Sequence, residues 1–96
     1  MFVGVYRIEI FIPGSHSLKE KRSVLNRLKT HLGELNLAVA EVDGQDLWQR
    51  AALGAAAVSN DVTWLDDLPT RIESVVLREP RANLLRVERD VRPFDP

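Results

Sequence analysis

The chain has 96 residues, enough for one domain with a single hydrophobic core. Its hydrophobic fraction of 45% and charged fraction of 28% are ordinary for a globular domain and argue against disorder. The net charge of −1 argues against a generally basic nucleic-acid-binding protein, and the absence of cysteine excludes disulfides and thiolate metal sites. Neither a signal peptide nor an apolar run of the ~20 residues that cross a bilayer is recognisable, so we expect a cytoplasmic protein without a membrane partner.

A strand and an amphipathic helix are predicted at the start of the chain. Apolar residues alternate over 2–12, and a Pro-Gly pair ends the alternation. A helix follows over 17–32, because Ser17 and Glu20 have the spacing of a capping box and leucines then recur at helical spacing. Lys21 falls inside the apolar stripe, which is an unusual place for an ammonium group. Apart from Glu20, the charged residues of this helix are all Lys or Arg.

A hairpin, a second helix and a last strand are predicted to follow. The hairpin strands cover 37–42 and 47–58, and their connection begins with an Asp-Gly turn signal. The second helix covers 61–79 and has several good N-cap residues at its start. Pro69 lies within its apolar stripe and predicts either a kink or a late helix start. Alternation resumes over 82–89 and predicts the fourth strand.

The order β-α-β-β-α-β predicts an α+β protein with the ferredoxin-like fold. In this fold a four-stranded antiparallel sheet has both helices on one face. We expect residues 1–91 to form the single domain and 92–96 to be a short C-terminal tail without regular structure.

Four motifs resemble those of the YlxP-like family of small uncharacterised bacterial proteins. They are Ser17-Leu-Lys-Glu-Lys-Arg22, Ala40-Glu-Val-Asp43, Asp46-Leu-Trp-Gln-Arg50 and Val58-Ser-Asn-Asp61. The resemblance covers nearly the whole chain and implies a ferredoxin-like fold. It also implies a loose link to translation, since genes of this family often lie beside those for translation initiation and ribosome maturation. The family has no established activity, so the resemblance implies no catalytic residues.

The sheet face opposite the helices is the first candidate for an interaction surface. Small residues on the third strand would let another sheet approach it, although a plain solvated strand is the alternative. Trp and Arg are enriched in binding hot spots, which favours Trp48 and Arg50 as interface residues. The alternative is that Trp48 covers the sheet edge and Arg50 pairs with Asp46. The residues predicted for a homodimer interface on this face or at the hairpin edge are Val5, Phe11, Trp48, Arg50, Ala52, Gly54 and Ala56.

A second hypothesis is an RNA- or ribosome-binding factor that uses the basic first helix. Phosphate contacts by its lysines and arginines would make such binding strongly salt-dependent. Recognition of RNA by the sheet has less support, because RNA-recognition sheets stack bases on aromatic residues of the central strands. The third strand offers only alanine and glycine at those positions.

A third hypothesis is a regulatory domain that binds a small anionic ligand or an RNA phosphate at the helix N-termini. We expect both helices to start at the same edge of the sheet, where their free N–H groups would form an anion site. The alternative is that Lys21 runs along the edge of the core and pairs with a carboxylate such as Asp61. The residues predicted for the anion site are Ser17, Lys19, Lys21, Arg22 and Asn60.

Chemistry at a metal or a nucleophile has the least support. Glu41, Asp43 and Asp46 cluster near the hairpin turn, but they match no calcium-binding loop. His16 and His31 have no partner residues for a zinc site or a catalytic triad. We therefore expect a non-enzymatic interaction module that needs no cofactor or metal.

Overall fold

Two helices cover one face of a four-stranded antiparallel sheet in the computed structural model, which describes residues 1–95. The strands lie in the order β2-β3-β1-β4. The predicted ferredoxin-like fold is therefore confirmed. The elements are β1 (Phe2–Phe11), α1 (Leu18–Gly33), β2 (Ala38–Asp43), β3 (Arg50–Ser59), α2 (Val62–Leu77) and β4 (Asn83–Pro93).

Alternation along the two central strands sorts their residues between the core and the opposite face. Ile8 pairs with Leu53 across β1 and β3, and both side chains are completely buried beneath the helices. Burial of an isoleucine or leucine side chain contributes about 1.5–3 kcal/mol. The helices complete this core with apolar residues at helical spacing, namely Val24, Leu25, Leu28 and Leu32 of α1 and Leu65, Leu68, Ile72, Val75 and Val76 of α2.

The N-terminus of α1 has the predicted cap. The Ser17 hydroxyl accepts a hydrogen bond from the backbone N–H of Glu20 at 3.1 Å. The Glu20 carboxylate in turn accepts from the backbone N–H of His16 at 2.7 Å. Both side chains therefore satisfy backbone donors at the helix start, which stabilises α1 and fixes its first turn.

Pro69 lies in the middle of α2, which continues through it from Val62 to Leu77. The alternative of a late helix start at this proline is therefore wrong. Proline has no N–H, so the carbonyl of Leu65, four residues earlier, loses its usual helical donor. The hydroxyl of Tyr6 on β1 donates to that carbonyl at 2.5 Å. The sheet thus supplies the donor that the proline removes. Burial, and secondarily the negative charge of Asp66, raise the pKa of Tyr6 above its usual 10.0.

Glu79, just beyond α2, is a buried carboxylate held by two arginines. Its Oε1 accepts from Nε of Arg81 at 3.0 Å, and its Oε2 lies 3.3 Å from Nε of Arg27 on α1. Burial acts to raise the pKa of Glu79, but the hydrogen bonds from Arg81 and the charges of both arginines outweigh it and hold the pKa below 4.5. One carboxylate therefore ties α1 to the connection between α2 and β4.

Three predicted boundaries are corrected. The third strand begins at Arg50 rather than at about Leu47, so residues 47–49 belong to the loop between β2 and β3. The second helix ends at Leu77 rather than near Glu79. Its N-cap is Asp61, one of the predicted candidates, whose side chain accepts from the N–H of Thr63 at 3.0 Å. The predicted tail over 92–96 is too long, since β4 continues to Pro93 and pairs there with the start of β1. Pro96 lies outside the described residues.

The two helices start at opposite ends of the sheet. Because β1 and β3 run antiparallel, the end of β1 pairs with the start of β3, and α1 follows the end of β1. The second helix follows the end of β3, beside the start of β1. The prediction that both helices start at the same edge is therefore wrong. Neither helix of residues 1–95 has the length and apolarity that a membrane crossing requires.

Tyr6→Phe should lower the free energy of unfolding by about 1–3 kcal/mol, because the Leu65 carbonyl would remain buried without a donor. The matched background is Pro69→Ala, which restores a backbone N–H at the position that normally donates to that carbonyl. Tyr6→Phe should cost clearly less in this background, as measured by a double-mutant cycle in denaturant unfolding. Equal costs in both backgrounds would contradict the compensation between Tyr6 and Pro69.

The raised pKa of Tyr6 also predicts a loss of stability at alkaline pH. The unfolded chain releases the tyrosine proton near pH 10.0 and the folded chain only above it. The stability that protonated Tyr6 contributes is therefore fully present below pH 10.0 and is lost as the pH rises through the pKa of Tyr6 in the folded chain. Unfolding of the wild type, with Tyr6→Phe as the reference, measures this contribution. Because the chain has one tyrosine, its phenolate absorbance reports the folded pKa directly.

Candidate interaction surface

The sheet face opposite the helices, here called the open face, carries the outward-pointing residues of all four strands. The register pairs Val5 with Ala56, Arg7 with Gly54 and Phe11 with Arg50 on this face. The structure thus places six of the predicted interface residues on one surface. They are Val5, Phe11, Arg50, Ala52, Gly54 and Ala56. The seventh, Trp48, lies in the preceding loop.

Two of these small residues are already covered by the chain's own side chains. Ala52 is only 4% exposed, although it points away from the helices. A Cβ atom added at Gly54 would lie 2.7 Å from Cγ1 of Val42, so the Val42 side chain covers this glycine. The prediction that these positions leave room for another sheet is therefore wrong for Ala52 and Gly54. The sequence did not reveal this, because the covering side chain comes from the neighbouring strand.

Exposed apolar side chains lie instead around these two positions. Val5 is 48% exposed, Val42 50% and Val58 59%. Between them lie alanines of β2 and β3, with Ala38 opposite Ala56. We call this surface the apolar half of the open face, and it consists of Val5, Ala38, Ala40, Val42, Ala56 and Val58.

Most of the remaining open-face residues are charged, with equal numbers of acids and arginines. The arginines are Arg7, Arg50, Arg86 and Arg92, and the acids are Glu9, Asp43, Glu88 and Asp90. Arg7 pairs with Asp43 at 3.1 Å and Arg92 with Asp90 at 2.8 Å. A hydrogen bond from the N–H of Gly44, followed by the guanidinium of Arg7, lowers the pKa of Asp43 below 3.8. Exposed pairs of this kind contribute little to stability because solvent screens them, so they fix side-chain positions more than they stabilise the fold.

Lys21 of α1 holds the start of the β2–β3 loop. Its side chain is 2% exposed, and its Nζ donates to the carbonyl of Gly44 at 2.6 Å. The same Nζ lies 3.0 Å from Oε2 of Glu41, whose side chain is 21% exposed. The angle between Lys21 Nζ and Glu41 Oε2 does not meet hydrogen-bond geometry. Within residues 1–95, Oε2 of Glu41 therefore has an ionic contact but no hydrogen bond. Lys21 therefore pairs with a carboxylate as the alternative prediction stated, but the partner is Glu41 and not Asp61.

The rest of the loop is fixed to the β1–α1 connection. The backbone N–H of Ile12 donates to the carbonyl of Gln49 at 2.8 Å. The Gln49 side chain donates to the carbonyls of Pro13 and Ser15 at 3.1 and 3.2 Å. Trp48, next to this anchor, is 55% exposed. More than half of the Trp48 surface is therefore open to solvent or to a partner.

Arg50 follows the loop at the start of β3 and is exposed. The alternative prediction paired it with Asp46. Among the residues that the structure describes, however, Arg50 makes no ion pair. Its guanidinium is therefore available to a partner of the open face.

The predicted anion site does not assemble. Asn60 lies at the α2 end of the sheet, whereas Ser17, Lys19, Lys21 and Arg22 lie at the α1 end. Ser17 already caps α1, and Lys21 is buried against β2 and the loop. The helix N-termini therefore form no shared site.

The acidic residues near the hairpin also separate. Glu41 points under α1 to Lys21, whereas Asp43 points to Arg7 on the open face. Across residues 1–95, no three acidic or histidine side chains come together as a metal-ligand set. His16 is exposed before α1, and His31 lies in its last turn.

Comparison with known proteins identifies the family and supports the fold. A family described as "Protein of unknown function (DUF503)" matches residues 3–89. "Uncharacterized protein YlxP" of Bacillus subtilis (strain 168) is 42% identical over 59 residues, which cover 60% of this chain and 64% of that protein. The resemblance to YlxP-like proteins is therefore confirmed.

Solved structures of similar shape include two designed proteins. The de novo designed protein Foldit4 matches with a TM-score of 0.57 and 12% identity, over 99% of this chain and 100% of the other. The de novo designed protein LFR1 1, with a ferredoxin fold, matches with a TM-score of 0.57 and 13% identity, over 98% and 88% of the two chains. At these identities the likeness shows the fold alone.

Lys21→Met should destabilise the protein by about 3–5 kcal/mol, because it leaves the partly buried Glu41 carboxylate without its cation. The double variant Lys21→Met with Glu41→Leu removes both charges and should recover most of that loss. Denaturant unfolding measures both free energies. Hydrogen exchange should show faster opening of residues 44–49 in each variant, since both lose the bond to Gly44. If the double variant is no more stable than the single one, the ion pair does not account for the loss.

Proposed function

The chain belongs to the DUF503 family of proteins of unknown function, and we propose that it is a non-enzymatic interaction module that forms a homodimer through its open face. The proposal includes a cytoplasmic location and no cofactor. The resemblance to YlxP-like proteins supports a loose connection of this module with translation. The single observation that carries the proposal is the exposure of Val5, Val42 and Val58 around alanines on one sheet face.

The size of the open face supports a second copy of the chain as the partner. Its two central strands have 10 residues each. β2 adds 6 residues and β4 adds 11. At about 3.3 Å per residue and about 4.8 Å between strands, the sheet covers about 600 Å² in projection, and side-chain relief makes the accessible area larger. A standard interface takes about 800 Å² from each partner. The open face therefore has the area that a specific dimer needs.

The charges of the open face also favour a copy of the chain over a nucleic acid. Acids and arginines are equal in number there, so two copies can meet without net repulsion. A nucleic acid would require a net positive surface. Phe11 is the one aromatic residue that the register of residues 1–95 places on the sheet face itself.

RNA or ribosome binding through α1 has less support than self-association. Of its five basic residues, Lys21 is buried against Glu41 and Arg27 pairs with Glu79. Lys19, Arg22 and Lys29 are left on the surface. These three supply too few phosphate contacts for strong binding, because each contact releases only about one counterion.

Val5→Lys should convert the dimer to a monomer, because it places an ammonium group at the β1 margin of the apolar half, directly beside Ala56. The matched control is Leu77→Lys, which adds the same charge at an apolar residue that is 72% exposed on α2, in the helical layer. Light scattering coupled to size exclusion measures the mass of each protein. We expect twice the monomer mass for the wild type and for the control, and the monomer mass for Val5→Lys.

High salt separates the two candidate functions. Self-association by apolar contact should persist or strengthen with salt, whereas contacts to phosphate weaken steeply. A wild-type protein that stays monomeric at high concentration in both low and high salt would remove the dimer proposal. A dimer that both variants disrupt equally would place the interface elsewhere.

A further inference from the structure

The two edge strands of the sheet differ in how well they are protected against pairing. β4 carries charged side chains at nearly every outer position, contains a bulge and ends at a proline. These features keep other strands away from a sheet edge. β2 begins with Ala38, Val39 and Ala40. Its first charge, Glu41, points inward to Lys21. The β2 edge is therefore open where the β4 edge is blocked.

The outer backbone groups of β2 lack partners. β2 is the terminal strand of the sheet and pairs with β3 on one side only. About half of the N–H and C=O groups of an edge strand point away from the sheet. Within residues 1–95 these groups of β2 make no other hydrogen bond. Ala38–Glu41 form the regular stretch before the bulge at Glu41–Asp43, so the open edge is about 13 Å long.

A basic helix flank lies above this edge. α1 packs over the β2 side of the sheet, where Lys21 reaches Glu41. Arg27 pairs with Glu79 just beyond α2, so the flank of α1 that carries Arg27 faces α2. The 3.6-residue period places Arg22 and Lys29 on the opposite flank, toward the β2 edge. Neither residue has an ion-pair partner in the part of the chain that the structure describes.

We propose that the β2 edge binds an extended acidic segment of another protein as a fifth strand, with Arg22 and Lys29 binding its carboxylates. An added strand would form backbone hydrogen bonds to β2 and point alternate side chains toward the helical layer. Long basic side chains at the outer flank of that layer can reach them. This surface is separate from the open face, so it does not depend on the proposed dimer.

The same charges disfavour a second copy at this edge. A symmetric β2–β2 pair would bring Arg22 and Lys29 of one protomer beside the same residues of its partner. Like charges at such a distance repel, and the segment 38–42 contributes only Glu41, which is already paired. An acidic strand neutralises the flank instead. RNA would also neutralise it but would leave the backbone groups of β2 without partners.

The test uses the full-length protein and two capped hexapeptides, one alternating glutamate with valine and the other alternating lysine with valine. Backbone amide shifts and amide exchange of the protein report the binding site. The glutamate peptide should shift the amides of Ala38–Glu41 and slow their exchange, and the lysine peptide should do neither. Arg22→Glu with Lys29→Glu should weaken binding on the order of tenfold, since attraction becomes repulsion at two positions. Lys19→Glu, on the solvent side of α1, should change it little.

Three results would overturn the proposal. The first is glutamate-peptide binding that shifts residues outside β2 and α1. The second is an equal loss of affinity in the Lys19→Glu control and in the double variant. The third is a single-stranded oligouridylate that binds the α1 flank while the glutamate peptide does not bind, which would assign the flank to RNA.

Discussion

The ammonium group of Lys21 is the polar contact on which the arrangement of β2 and its loop depends. It lies among apolar residues of α1, where an unpaired charge would be costly, and it contacts both Glu41 on β2 and the carbonyl of Gly44. A slip of β2 by one residue would place an apolar side chain beneath Lys21 and turn Glu41 to the open face. The Lys21–Glu41 pair therefore makes other registers of β2 unfavourable. Leucine and alanine side chains alone would discriminate poorly between the correct register and a shifted one. We regard specificity of register, more than net stability, as its contribution.

The composition of the open face follows from that register. Once Glu41 points to the helices, the bulge between Glu41 and Asp43 directs both Val42 and Asp43 to the other side. Val42 then covers Gly54, and Asp43 reaches Arg7. The glycine is thus explained within the chain, since a larger residue would collide with Val42. The same bulge interrupts the edge of β2 and leaves only its first half regular enough to pair with another strand.

Sequence reasoning succeeded where the signal is local and failed where two distant segments meet. The alternation of β1, the capping box of Ser17 and the buried position of Lys21 depend on neighbours along the chain, and the structure has all three. The partner of Lys21 was missed because the helix starts were assigned to one edge, although antiparallel β1 and β3 place them at opposite ends. The donor for the carbonyl left free by Pro69 comes from Tyr6, 59 residues away from Leu65, and no periodicity reveals it. The burial of Ala52 likewise depends on how β2 and the loop fold beside it.

The helical layer carries its charge unevenly, and this connects the two proposed surfaces. Lys19, Arg22 and Lys29 lie on α1 above the β2 side, while Asp67 and Glu73 lie on α2 above the β4 side. The net charge of −1 conceals this separation, because acids elsewhere in the chain offset the excess of basic residues on α1. An acidic partner is attracted to the β2 side and repelled from the β4 side before any contact forms. The open face has no net charge and gives no such direction, so the association proposed there would depend on apolar contact. The charge separation therefore supports the acidic partner proposed for the β2 edge, and it does not bear on the dimer proposed for the open face.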